Sequence, residues 1–314
     1  MNQIKIIGCG VSGLTTAIVM LEAGYNVQII TDKLPNETTS AKAGAIWFPY
    51  AIEPKEQANI WSLESYKKYE TLCNIAVAGV SMIDTIILID KEEDAWWKDA
   101  IPKDQIRKAT DEEIPNGYHL GYVMNVPLIS PPIYLEFLLK QFKRLGGEIT
   151  VQYVNSIEEL NTTENIIVNC TGLGSRELVN DNSMYAIQGQ IVKTKAAANI
   201  NCIIDETERG VMEGFGYVFP RPDALILGGT AVKGNESRIP ADKTAQEIIE
   251  RCQLIEPNLQ HVEIESTYVG LRPARPSIRL ERNGNIIHNY GHGGAGFTVA
   301  WGCAWAVRDL MFNV

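Results

Sequence analysis

Ile4-Lys5-Ile6-Ile7-Gly8-Cys9-Gly10-Val11-Ser12-Gly13-Leu14 is the stretch whose reading decides the fold. A β-branched run enters three glycines spaced G-x-G-x-x-G, and apolar residues then recur at helical spacing through Leu14, Ala17, Ile18 and Leu21. Ala23-Gly24 closes that helix and Val27-Gln28-Ile29-Ile30 opens a second strand, which makes a βαβ unit. In such a unit Gly8 permits the tight turn, Gly10 lets the backbone approach a pyrophosphate, and Gly13 lets the helix pack on the strand. Val11 and Ser12 begin the helix, whose N-terminus offers positive potential to phosphate. Asp32 stands about 20 residues past the last glycine, where an acid takes the ribose of a dinucleotide; a solvated turn residue is the alternative. NAD and FAD folds share this fingerprint. One bound dinucleotide is expected.

Outward from that unit, Thr38 to Ala45 is a run of small residues suited to wrapping a cofactor, followed by Trp47-Phe48-Pro49-Tyr50. Residues 51–125 are richer in charge and aromatics, with a helical pattern over Trp61–Leu72 and a strand over Thr85–Leu88. Pro131–Leu145 reads as a capped amphipathic helix ending at Gly146-Gly147, and Glu148–Val151 as the next strand. Ile166 to Gly172 is a buried parallel-type strand turning at glycine. Residues 186–267 are strand-rich with one helix over Ala245–Leu254, and the chain closes with a strand over Ile286–Tyr290, a glycine-dense turn and a helix over Phe297–Met311. The fold class expected is α/β: a Rossmann-like dinucleotide domain from residues 1–50, 126–185 and 268–314, and an α+β substrate domain from 51–125 and 186–267.

Composition narrows the function. The 314 residues carry 28 basic and 38 acidic side chains, a formal charge of −10, and no cluster of Lys and Arg that would track phosphates, so nucleic acid is not an expected partner. The six cysteines (Cys9, Cys73, Cys170, Cys202, Cys252, Cys303) are scattered without a C-x-x-C pair, which predicts reduced thiols and no metal site. No apolar run is long enough to span a bilayer, and the strand pattern over Met1–Gly8 leaves no room for a signal peptide, so a cytoplasmic protein is expected.

The chain resembles the D-amino-acid oxidase family. The matching blocks are GCGVSG (8–13), AGAIWFPY (43–50), VNCTG (168–172), GQIV (189–192), YVFPRP (217–222), GLRPARPSIRLE (270–281) and HNYGHGGAGFTVAWGCA (288–304). The resemblance implies FAD as cofactor and a substrate domain whose mostly antiparallel sheet roofs the flavin. It also implies a reaction: a D-amino acid loses its Cα hydride to flavin N5, the imine hydrolyses to a 2-oxo acid and ammonia, and O₂ takes the electrons to give hydrogen peroxide. Such chemistry asks for alignment more than for a protein acid or base.

By the same resemblance Arg279 is the carboxylate-binding arginine, assisted by the Tyr217 hydroxyl, while Gly294 offers its carbonyl to the substrate amine. Arg272, Arg275 and Arg282 read as surface or structural charges, and Arg221 as structural. Thr39, Ala43, Gly44, Ala45 and Trp47 are implied to wrap the cofactor, with Thr171 and Gly172 beside it. Gly291, Gly293, Gly296, Phe297 and Thr298 are implied to lie against the flavin. Among the histidines only His292 falls in that turn, where fixing a backbone bend is its expected role.

Glu213 stands where animal members carry a lid tyrosine; a carboxylate facing the pocket would favour neutral or basic D-amino acids over D-aspartate. The final residues lack an S-K-L address, in keeping with the cytoplasmic expectation. Alternatives on the same fold are a D-aspartate oxidase, a glycine or secondary-amine oxidase and a dehydrogenase with another acceptor; from another class, a flavin-binding sensor. A homodimer is left open.

Overall fold

In the computed structural model, residues 3–160, 165–195, 199–208, 216–259 and 262–312 are described. The N-terminal unit is β1 (Gln3–Ile7), α1 (Val11–Glu22) and β2 (Asn26–Thr31). Next come α2 (Lys55–Leu72), β3 (Val80–Leu88), β4 (Ile106–Lys108) and β5 (Gly121–Ile129), then α3 (Pro131–Arg144), β6 (Glu148–Val151), β7 (Ile166–Asn169) and the short α4 (Ser175–Leu178). The remainder is β8 (Tyr185–Thr194), β9 (Cys202–Asp205), β10 (Tyr217–Arg221), β11 (Ala224–Gly228), β12 (Val232–Lys233), α5 (Asp242–Ile255), β13 (Ile264–Asn283), β14 (Ile286–His292) and α6 (Gly296–Leu310).

One half of the molecule is a parallel sheet in the order β6-β2-β1-β7-β14. Its strands are apolar because both faces are covered: Ile4, Ile6, Ile29 and Val168 pack with Leu14, Ala17, Ile18 and Met20 of α1 and with Trp301 and Ala304 of α6 in one core. The other half is antiparallel through β13-β8-β11-β10-β9, continuing to β3, β5 and β4. Alternation across β10 is plain: Val218 packs under α5 with Ile248, Ile249 and Cys252, while Tyr217 and Phe219 turn to the opposite face.

The two halves share one strand. The first part of β13 pairs with β8 from Ile264↔Thr194 to Ala274↔Tyr185, and its last part pairs with β14 from Arg279↔Tyr290 to Asn283↔Ile286, with a register shift between Ala274 and Arg279. The boundary expected at 267/268 therefore falls inside β13, and that at 125/126 falls inside β5, because continuous ladders cross both points. Other differences are local. Helix α2 starts at Lys55 rather than Trp61, since its first turn is polar and hides the helical period; β14 runs on to His292, which places Gly291 in a strand and not in a turn. Among the described residues no helix is long and apolar enough to cross a membrane, and no group of His, Cys, Asp and Glu is placed to hold a metal. All six thiols are free, five of them buried.

Helices α2 and α6 cross at Gly302, where a Cβ would overlap the backbone of Trp61. Gly302→Val is expected to lower stability by about 1–3 kcal/mol through overpacking. Urea unfolding of the purified protein checks this, and an unchanged midpoint would show that the helices separate at no cost.

Candidate active site

A cavity of about 420 Å³ runs from the C-terminal ends of β1 and β2 to the inner face of β8, β9 and β10. At its first end stand Gly8, Gly10, Val11, Ser12, Asp32 and Lys33. Gly8 has φ +104°, and a Cβ there would lie 2.6 Å from the Cys170 carbonyl oxygen. Gly13 does not line the cavity; it packs on the Gly8 carbonyl, where no side chain fits. A Cβ on Gly10 would be 3.0 Å from Ser40 Oγ, which itself accepts the Val11 N–H at 3.0 Å. The start of α1 thus presents backbone N–H groups without a capping side chain of its own, which suits a phosphate. Asp32 is exposed beside Lys33 (3.5 Å), at the strand end where a ribose would be met. The length of the cavity, its glycine-floored first end and its acid at β2 fit FAD.

The middle of the cavity is lined by Thr39, Ala43, Gly44, Ala45, Thr171 and Gly172 and by Gly293, Gly296 and Phe297. Gly44 has to be small, since a Cβ would stand 3.1 Å from the Phe219 ring and 3.2 Å from that of Tyr217. Arg221 is structural as expected: it pairs with Asp223 (2.7 Å) and donates to the Ala43 carbonyl (3.3 Å), holding this wall in place. Besides Gly13, three residues expected at the cofactor do not line the cavity. Trp47 is fully buried behind it, donating its indole N–H to the Ser62 carbonyl at 2.8 Å. Thr298 is also buried, and its hydroxyl bonds both the carbonyl (2.9 Å) and the N–H (3.1 Å) of Phe48, tying that wall to α6. Gly291 lies in β14 against Arg275.

At the far end the lining is Tyr50, Ile191, Ile204, Tyr217, Phe219, Arg272 and Gly294. The Arg272 guanidinium donates to the Thr230 carbonyl at 2.8 Å, lies so close over Gly189 that a Cβ there would be 2.7 Å away, and hydrogen-bonds Tyr217. Tyr217 stacks on Phe219 with ring centres 4.4 Å apart. Burial pushes the Tyr217 phenol above its ordinary range and Arg272 pulls it back; Tyr50 shifts the same way, with Arg272 lowering and Glu206 raising it. Burial holds His292 down at about 4, and its Nε2 is bonded to Asn289 Oδ1 at 3.0 Å, so it is a neutral strut at the end of β14.

Arg279 is not at the cavity, which corrects the expectation for it. Its Nε donates to Glu281 Oε1 and its Nη1 to the Tyr290 hydroxyl, both at 2.7 Å, and Asp181 lies 3.8 Å away. The reason is the path of β13: the strand lines the cavity over residues 270–273, and after the register shift it pairs with β14, where the Arg279 guanidinium is taken up by Glu281, by the hydroxyl of the wall residue Tyr290 and by Asp181. Arg272, expected to be a surface or structural charge, lines the cavity, as do Tyr50 and Phe48, for which the sequence suggested no role. Arg272 was in the quoted GLRPARPSIRLE block, but four arginines within residues 272–282 carry no spacing signal that ranks them. Glu213 lies outside the described residues.

A family described as FAD dependent oxidoreductase matches residues 3–310. A D-amino-acid oxidase from Rubrobacter xylanophilus is 35% identical over 306 residues, covering 95% of this chain and 92% of the relative. One from Dictyostelium discoideum is 38% identical, covering 98% and 91%. A human D-aspartate oxidase is 32% identical, covering 98% and 94%.

Asp181 gathers the charges on which Arg279 is spent. Burial raises its pKa, but bonds from Ser183, Tyr290 and Arg275 outweigh this and hold it at about 2, below the ordinary 3.8. A depressed carboxyl adds stability above its unfolded pKa and loses it as the pH falls toward the folded one. Asp181→Asn should therefore be less stable than the parent at neutral pH, with the gap closing as pH falls from about 4 toward about 2. Urea midpoints across that range test it; a gap that does not vary with pH would mean that the charge of Asp181 adds nothing.

Proposed function

Because the chain belongs to the FAD dependent oxidoreductase family, we propose that it is a D-amino-acid oxidase in which Arg272, not Arg279, binds the substrate carboxylate. The observation that carries this reading is the meeting of Arg272, Tyr217 and Gly294 at one end of a cavity whose other end is built for the cofactor. FAD, when bound, supplies the hydride acceptor and, with O₂ as the final acceptor, the route to hydrogen peroxide.

The residues of the chain then bind and orient. The planar Arg272 fork, held by the Thr230 carbonyl, matches a carboxylate with two parallel bonds, and the Tyr217 hydroxyl beside it adds a third donor. Anchoring the carboxylate at one point and the amine at the Gly294 carbonyl fixes which face of Cα is presented, and so selects one enantiomer. Ile191, Ile204 and Phe219 supply apolar walls that exclude water from the reacting centre. No acid or base is asked of the lining: His292 is neutral and occupied by Asn289, and the Tyr50 and Tyr217 phenols keep their protons at neutral pH. The substrate binds with its amine as the free base, its proton left to bulk water, because Arg272 disfavours a second positive charge at this end. For the cofactor, we assign Gly10, Val11 and Ser12 to the pyrophosphate, Asp32 to the ribose, and Thr39, Ala43 to Ala45, Thr171, Gly172, Gly293, Gly296 and Phe297 to the walls. The free thiols support a reducing compartment such as the cytoplasm.

Anaerobic mixing of the FAD-loaded protein with D-alanine should bleach the oxidised flavin band, L-alanine should not, and admitting air should release peroxide. Arg272→Ala should lower kcat/KM about a hundredfold or more, the scale of roughly 3 kcal/mol for a lost charge-assisted pair. Arg279→Ala should instead lower thermal stability and leave KM within about twofold. Flavin that stays oxidised with every D-isomer, or a KM that responds to Arg279 and not to Arg272, would overturn the reading.

A further inference from the structure

Strand β9 carries Ile204 in the cavity wall, and two residues on, along the same face of the chain, comes Glu206. Its N–H bonds the Leu88 carbonyl at 2.9 Å, so the extended path continues past the end of the strand. The carboxylate accepts the Trp97 indole N–H at 3.1 Å, and Trp97 packs edge-on against Phe48, a cavity wall, with ring centres 5.4 Å apart. Tyr50, another wall residue, lies in the field of two opposite charges, Arg272 and Glu206. Among the described residues no Lys, Arg or His nitrogen comes within 4.0 Å of Glu206. Glu206 is half-buried, and a carboxylate there with only a neutral partner is costly; a cation delivered by a ligand offsets that cost.

We propose that Glu206 receives the distal cationic group of the substrate, so that D-amino acids with an ammonium or guanidinium side chain, such as D-lysine and D-arginine, are the preferred class. The proposal rests on the oxidase reading with Arg272 as carboxylate anchor, and sets a negative charge next to the Ile204 and Tyr50 walls against the positive Arg272 within them. It also gives a pH signature. Burial, first, raises Glu206 to about 7, against the Trp97 hydrogen bond and with the help of Asp94 and Asp205; the Tyr50 phenol faces it uncharged. Below about 7 the free enzyme therefore holds a neutral acid there, and above it a carboxylate that attracts the cation.

The test is kcat/KM for D-lysine and for its uncharged isostere D-norleucine, with the FAD-loaded enzyme and with Glu206→Gln, from about pH 6 to about 8.5. Taking the ratio of the two substrates cancels the effects of pH and of the variant on the shared chemistry at Cα. In the parent the ratio should rise with pH through about 7, and in Glu206→Gln it should be about tenfold lower at pH 8 and flat. A parent ratio that is flat in pH, or a variant ratio within about twofold of the parent, overturns the proposal; should the variant fail to hold flavin, the parent profile decides alone. Oxidation of D-alanine and D-norleucine with poor use of D-lysine at every pH would sink the Glu206 assignment and leave the oxidase standing. No bleaching by any of the three would sink the oxidase reading itself.

Discussion

Everything at the site depends on the continuous run of β13. A strand that leaves β8 and joins β14 without a loop between them makes the cofactor half and the substrate half one hydrogen-bonded body. The cavity lies where the strand changes partners: Gly270 to Pro273 line it, and Gly293 N–H donates to the Pro273 carbonyl at 2.9 Å just beyond. Arg272 and Gly294 are therefore set against each other by main-chain bonds and not by flexible loops. For chemistry in which alignment does most of the catalysis, a backbone ladder is a stiffer ruler than any side-chain contact.

The same strand shows how one residue type is put to two uses. Arg272 points into the cavity and is held by a carbonyl and a phenol; Arg275 and Arg279 converge with Tyr290 on the buried Asp181. An arginine closed by a carboxylate cannot also hold the carboxylate of a substrate, whereas one held by a neutral carbonyl keeps its charge for a ligand. The Asp181 group sits just after α4 and fastens that segment to β13 and to the wall residue Tyr290 of β14, so it steadies the frame of the cavity.

Much of this was legible in the sequence. The glycine turn after Ile4–Ile7, the apolar period of α1, the closing helix and the small-residue wall at 43–45 follow from local rules and stand where they were expected. What local rules do not carry is which side of a long strand a residue faces after a register shift. Past the irregularity between Ala274 and Arg279, the Arg279 side chain is turned to Tyr290 and Asp181, and the block it belongs to gives no sign of it. Trp47 and Thr298 were misjudged for a related reason: each is one layer behind the wall, and a residue that braces a wall has the same sequence neighbours as one that forms it. Glu206 had no local signal, because its setting comes from Trp97, more than a hundred positions earlier in the chain.

The electrostatics of the substrate end of the cavity follow from burial acting on His292, Tyr50 and Tyr217. It keeps His292 unprotonated and the phenols of Tyr50 and Tyr217 protonated, so three groups that would otherwise blur the field are neutral at working pH. Arg272, whose guanidinium cannot be deprotonated in a protein, is left to set the positive end. With so few charges and little water between apolar walls, a zwitterion feels their direction strongly. The enzyme then needs no catalytic acid or base, because the residues that look able to serve have been silenced by the same burial that orients the substrate.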